Sequence, residues 1–280
     1  MRVFISVDME GVAGVATYDQ IIRGGSGYPR AQELMTQEAN AAIRGAFAGG
    51  ADEVVVNDSH GTMDNLLHDR LDPRARLVFG APRPSCMVQG ITRDDVLAVF
   101  IGYHAAAGSH GTLAHTFSSN FTELRVNGEA MSEAEVNGLY AGSVGVPVGV
   151  LAGDDQICQR AEKAFPGITT VAVKNAGGTC AVDTLHPQVA CERIEQAVTG
   201  AVQSRAVAPL TVPDALSLEI DFASPLMADL AACVPGAVRV GARTLQRDVD
   251  SCDDLLLLVM NWYYLASLAA QQVAAIAFRR

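Results

Sequence analysis

Lysine is almost missing from this 280-residue chain, which holds it only at Lys163 and Lys174. The formal net charge is -11 and the pI near 4.9. With that acidic balance and no Lys/Arg cluster in the sequence, no basic face is expected, which argues against a nucleic-acid partner. Cysteine is present but never paired in sequence: Cys86, Cys158, Cys180, Cys191, Cys233 and Cys252 stand singly, without a C-x-x-C motif. That usage excludes a disulfide framework and predicts core thiols in a reduced, cytoplasmic protein. A basic segment followed by an apolar run of signal-peptide length is also lacking, because the opening apolar run is short and ends in acids. Long hydrophobic runs are absent until 255–278, which carries no charged residue. Its length suits a membrane span, but Asn261, Gln271 and Gln272 interrupt it, so a core or subunit-interface helix is expected. Hydrophobic residues make up 49% of the chain, which excludes disorder.

What is present is a series of apolar strands that end in polar side chains. Val3, Phe4, Ile5 and Val7 read as a buried parallel strand, and it runs into Asp8 and Glu10. Two positions apart on extended chain, these acids point to one side and repel unless a cation lies between them. Gly11 then lets the backbone turn away. After a glycine-rich loop, the apolar spacing predicts a helix over 30–47, stopped by Gly49 and Gly50. The strand Val54-Val-Val56 leads to Asp58, Ser59 and His60, and a further strand is expected within 73–80. The strand 96–101 leads to Gly102, Tyr103 and His104. Leu124 to Val126 followed by Asn127-Gly128 predicts a strand and tight turn. Ser132-Glu-Ala-Glu135 reads as a capping box that opens a helix with Glu133 in its first turn. A strand over 145–152, an Asp154-Asp155 helix cap, a helix through Ala164 and a strand over 169–173 ending at Lys174 complete the alternation.

This rhythm predicts a doubly wound α/β domain with a mostly parallel sheet over 1–200. A proline-containing linker over 204–213 then leads to a smaller α+β unit, giving a second domain over 201–280 with strands at 216–222 and 238–244. Ligands of open α/β sheets bind outside the carboxyl ends of the strands. Asp8, Glu10, His60 and His104 would converge there. Mixed carboxylate and imidazole donors suit zinc better than magnesium, and two acids with two histidines are enough to begin a two-metal site with a bridging carboxylate.

The motifs Ser6-Val-Asp-Met-Glu-Gly11, Val56-Asn-Asp-Ser-His60, Gly102-Tyr-His104 and Ala114-His115 resemble, in order, those of the D-aminopeptidase family of zinc metallopeptidases. The likeness runs from Met1 through Ala172-Val-Lys174 and more loosely to the C-terminus. It implies that Asp8, Glu10, His60, His104 and Glu133 hold two zinc ions, that His115 is catalytic, and that the chain forms a decameric ring of two stacked pentamers. The sequence departs from the family at Ser132, where glycine is commoner, and at Thr179, where arginine is common. The first leaves the ligand Glu133 intact, and the second, with Ala106 and Ala107 after His104, bears on the substrate. Glu133 also reads as a first-turn acid favoured by the helix dipole, and only the resemblance makes it a ligand. Lys174 reads equally as a salt-bridge partner or as a group facing substrate. His68, His110 and His186 fall outside the motifs and are expected on the surface.

The chemistry implied is metal-assisted hydrolysis of a short peptide or amide with a free N-terminal amino acid, of D configuration by the resemblance. His115 would act as nucleophile or as acid/base, and the poor acylating power of imidazole toward amides favours the second. Two alternatives come from other classes. A haloacid-dehalogenase-like phosphatase would share acidic strand ends, but it needs Asp at position 10 and a lysine before Lys163. A non-catalytic peptide-binding subunit of a transport system would explain a cleft but not five metal-type ligands.

Overall fold

The structure, a computed structural model, describes residues 1–277. In chain order the elements are β1 (Arg2–Val7), α1 (Tyr18–Ile21), α2 (Tyr28–Ala48), β2 (Glu53–Asp58), β3 (Ala75–Val78), β4 (Asp95–Tyr103), β5 (Phe121–Val126) and β6 (Glu129–Ala130). There follow α3 (Glu133–Ser143), β7 (Val148–Asp154), α4 (Asp155–Ala164), β8 (Thr169–Gly178), β9 (Ala181–Thr184) and α5 (Pro187–Ser204). The last are β10 (Leu216–Phe222), α6 (Pro225–Ala231), β11 (Val238–Arg239), β12 (Thr244–Val249) and α7 (Cys252–Ala277).

These elements form two compact units. The larger takes Met1–Ala105, Ser109–Ala114 and Ala134–Val212. Its seven-stranded sheet has the order β3-β2-β1-β4-β7-β8-β9, parallel throughout except that β9 runs antiparallel to β8. Val3, Phe4, Ile5 and Val7 are fully buried because β1 is central, paired with β2 on one side and β4 on the other. Strand order reverses at β1, with β2 built to one side and β4 to the other. The carboxyl ends of β1 and β4 therefore flank the crevice where open α/β sheets bind ligands. The helix α2 lays Leu34, Met35, Ala42, Ile43 and Ala46 into the core and packs on α5. Asp154 caps α4 as expected, its carboxylate accepting from Ile157 N at 2.9 Å.

The smaller unit takes Ala106–Gly108, His115–Glu133 and the chain from Pro213 onward. Its five-stranded antiparallel sheet has the order β11-β12-β10-β5-β6. Because β5 pairs with β10, residues 115–133 belong with the C-terminal segment and not with their neighbours in sequence. Along β10, Leu216, Leu218, Ile220 and Phe222 are buried in strict alternation. Trp262 of α7 is fully buried, edge-on to Phe222, and its indole N–H donates to Ala231 O at 3.1 Å.

Three expectations change. The strand placed over 238–244 is a hairpin of β11 and β12, which turns at Gly241 and continues to Val249. The helix expected over 255–278 begins earlier, at Cys252, and so takes Asp253 and Asp254 into its first turn, where Ser251 Oγ accepts from Asp254 N at 3.1 Å; its expected last residue, Phe278, lies outside the described residues. Among the described residues no helix is long and apolar enough to cross a membrane. Only Cys86, Cys158 and Cys252 are core thiols, whereas Cys191 is half-buried and Cys180 and Cys233 are exposed.

Candidate metal centre

The end of β1 is tied closely to the end of β4. Asp8 N donates to Ile101 O at 2.8 Å and Gly11 N to Gly102 O at 2.7 Å. A Cβ on Gly11 would stand 1.9 Å from Tyr103 O, and one on Gly102, whose φ is +72°, 2.1 Å from Asp8 O. Only glycine fits at either position. Beneath the acids, Ser6 Oγ meets Ser59 Oγ and Tyr103 Oη, each at 2.7 Å, so hydrogen bonds among β1, β4 and the chain after β2 fix the three strand ends that carry the ligands.

Four of the expected residues come together here, all buried: Asp8, Glu10, His60 and His104. His60 Nε2 donates to Ile21 O at 2.8 Å, which turns Nδ1 toward Glu10 Oε2 at 2.9 Å and Asp8 Oδ1 at 3.4 Å. His104 Nδ1 donates to Ala105 O at 3.0 Å, which turns Nε2 toward Asp8 Oδ2 at 3.4 Å. A carbonyl thus fixes each tautomer, the usual outer-sphere arrangement of a metal-ligating histidine. In neutral imidazoles so fixed, the lone-pair nitrogens face carboxylate oxygens, an arrangement that is repulsive until a proton or cation enters. Burial opposes charge on His60, yet the carboxylates of Glu10 and Asp8 overcome it and hold the imidazole pKa well above its ordinary value. The pocket calls for positive charge, which a metal ion would supply. One donor atom each from Asp8, Glu10 and His104 lies within 4.8 Å of the others. The donor set fits zinc.

The other two expected residues lie in the smaller unit. Glu133 is the first residue of α3 and is buried, and its Oε1 accepts from Phe117 N at 2.5 Å. His115 stands on a loop, with its Nε2 3.8 Å from that same oxygen and its side chain 25% exposed. Of the histidines outside the motifs, His68, His110 and His186 are all exposed, as expected.

Lys174 meets neither sequence reading. It is 2% exposed, and its Nζ donates to the backbone carbonyls of Glu10, Val12 and Val15. Sequence reasoning also passed over Glu38, a buried acid of α2 whose Oε1 accepts from Ala13 N at 2.8 Å. Burial pushes the Glu38 carboxyl up to about 7 and the Lys174 ammonium down to about 8. The rarity of lysine was the signal for Lys174, and nothing in the sequence marked Glu38.

The sequence profile of the D-aminopeptidase family matches residues 1–260. The chain belongs to the D-aminopeptidase family. A D-aminopeptidase of Bacillus subtilis (strain 168) is 38% identical over 250 residues, which cover 88% of this chain and 90% of that one. Among solved structures, this family member is similar to the Zn-dependent D-aminopeptidase DppA from Bacillus subtilis, described as a self-compartmentalizing protease. The TM-score is 0.93 at 34% identity, over 95% of this chain and 98% of that one. Membership in the D-aminopeptidase family bears out the expected α/β fold and the aminopeptidase reading over the phosphatase and binding-subunit alternatives.

Proposed function

We propose that this chain is a zinc-dependent aminopeptidase that hydrolyses short peptides or amides with a free N-terminal amino acid of D configuration. Asp8, Glu10, His60, His104 and Glu133 would hold two zinc ions per chain. The observation that carries this reading is Asp8, whose two oxygens face two different histidines, each at 3.4 Å, as a bridging carboxylate requires. When bound, zinc supplies a Lewis acid for the scissile carbonyl and acidifies water toward a pKa of about 7. The protein's part is to orient and to move protons. Ile21 O and Ala105 O hold the imidazoles in the ligating tautomer. His115, partly exposed and beside Glu133, is suited to take a proton from the attacking water and return it at Nε2 to the leaving amine.

The exposed side chains Leu257, Tyr264, Leu268 and Val273 on α7 support self-association, in keeping with the self-compartmentalizing relative. A decameric ring is the assembly the family resemblance implies. Cysteines that stand singly in the sequence, without a C-x-x-C motif, support a cytoplasmic location. The test is metal analysis of purified protein followed by hydrolysis of D- and L-aminoacyl amides, with p-nitrophenyl phosphate as the control. Zinc near two per chain and D-selective amide hydrolysis are expected. Metal-free protein with full activity, or turnover of the phosphate ester alone, would overturn the proposal.

A further inference from the structure

We infer that Lys174 is a positioning residue of the metal centre: its buried ammonium gathers the loop after β1 and thereby aims the Glu10 carboxylate at His60. This rests on the metal reading above and adds to it a residue that touches neither metal nor substrate.

In the sheet order β1-β4-β7-β8, Lys174 comes from a strand that is not adjacent to β1. Its Nζ nevertheless reaches Glu10 O, Val12 O at 3.0 Å and Val15 O at 2.6 Å. An ammonium has three N–H donors, and here each has one carbonyl. These carbonyls belong to an irregular, buried stretch that no sheet partner could satisfy. Three amides of the same stretch are taken by groups outside it, Gly11 N by Gly102 O at 2.7 Å, Ala13 N by Glu38 Oε1 at 2.8 Å and Gly14 N by Thr184 Oγ1 at 3.0 Å, while Val12 N and Val15 N bond within it, to Met9 O at 3.2 Å and Val12 O at 3.1 Å. The loop is thus held through its carbonyls by a cation and through its amides by acceptors on β4, α2 and β9.

Glu10 is where this bears on chemistry. Its own carbonyl is one of the three acceptors, so the ammonium fixes the peptide plane from which the carboxylate departs. That carboxylate ends 2.9 Å from His60 Nδ1. Burying the Lys174 ammonium costs free energy and adds no stability by itself over a well-packed apolar side chain. Its role follows from what it holds.

The experiment compares wild type, Lys174→Met and Glu38→Gln as full-length protein. Zinc affinity is measured by competition with a chromogenic chelator, and ligand geometry by the visible spectrum of the cobalt-substituted protein. Circular dichroism and oligomeric mass report folding. Lys174→Met is expected to fold, to bind zinc roughly 10–100-fold more weakly and to show an altered cobalt spectrum. Glu38→Gln keeps an acceptor for Ala13 N and leaves the three carbonyls on Lys174, so affinity and spectrum should match wild type. If Lys174→Met retains wild-type affinity and spectrum while only its thermal stability falls, Lys174 is structural and the inference fails. It fails also if Glu38→Gln weakens zinc as much, because any disturbance of this core would then suffice. Should Lys174→Met not fold, Lys174→Arg decides by the same readouts. A planar guanidinium cannot converge on three carbonyls about one point, so undiminished affinity in that variant overturns the inference. Wild-type protein that takes up no zinc would instead sink the metal reading itself.

Discussion

Asp8 turns its two oxygens to the two imidazoles at 3.4 Å each, whereas Glu10 Oε2 stands 2.9 Å from His60 Nδ1. Asp8→Ala should therefore release more metal and activity than Glu10→Ala, and equal losses in metal analysis would count against the bridging role. His60→Ala and His104→Ala should lose zinc. His115→Ala should keep it and turn over roughly a hundred- to ten-thousand-fold more slowly. If His115→Ala empties the site, His115 is a ligand. Glu38 allows a pH prediction of its own. Its folded carboxyl is raised from 4.5 to about 7, so the stability it contributes is present below pH 4.5 and lost as the pH rises through 7. In chelator-treated protein, Glu38→Gln should gain on wild type across that window by about 3 kcal/mol, measured by urea unfolding. The ligands were legible because an acid or histidine closing an apolar strand is a conspicuous change of character. Glu38 and Lys174 were not, since a charged residue within a helical or strand pattern reads as solvent-facing until the fold shows what covers it.

At the level of elements, the site depends on how closely β1 and β4 approach beyond their last paired residues. Gly102→Ala introduces both a left-handed φ on alanine and a clash with Asp8 O. It should cost at least about 2 kcal/mol in denaturant unfolding and lower zinc occupancy as well. A variant of wild-type stability and metal content would show that the strand ends can part without consequence. The strands of the parallel sheet could be read from their apolar runs, and the Asn127-Gly128 turn from its residue types, both of which adopt positive φ. The union of 115–133 with the C-terminal segment could not. It arises from the pairing of β5 with β10, residues about ninety positions apart, and no local pattern announces a pairing of that span. A single division near residue 200 was all that the local rhythm offered.

For the whole molecule, light scattering should give a mass well above the 29.4 kDa of one chain. Leu268→Asp on the exposed face of α7 should shift the population toward smaller species. A monomer at micromolar concentration would refute self-association. The central place of β1 has a further consequence, for the order of events in folding. Its neighbours pair with it from positions as distant as Val7 with Ile101, and the loop that follows it is held by residues as remote as Lys174 and Thr184. Most of the contacts that define the centre are thus remote in sequence, the kind that slows folding because loop entropy is lost before contacts reward it. Zinc offered to the unfolded chain meets donors dispersed over more than a hundred residues and has no preformed cage to enter. The metal is in this sense a late arrival, a latch on a nearly finished structure and not a nucleus for it. Refolding should accordingly proceed at the same rate with or without zinc, and the ion should act chiefly by slowing the reverse reaction.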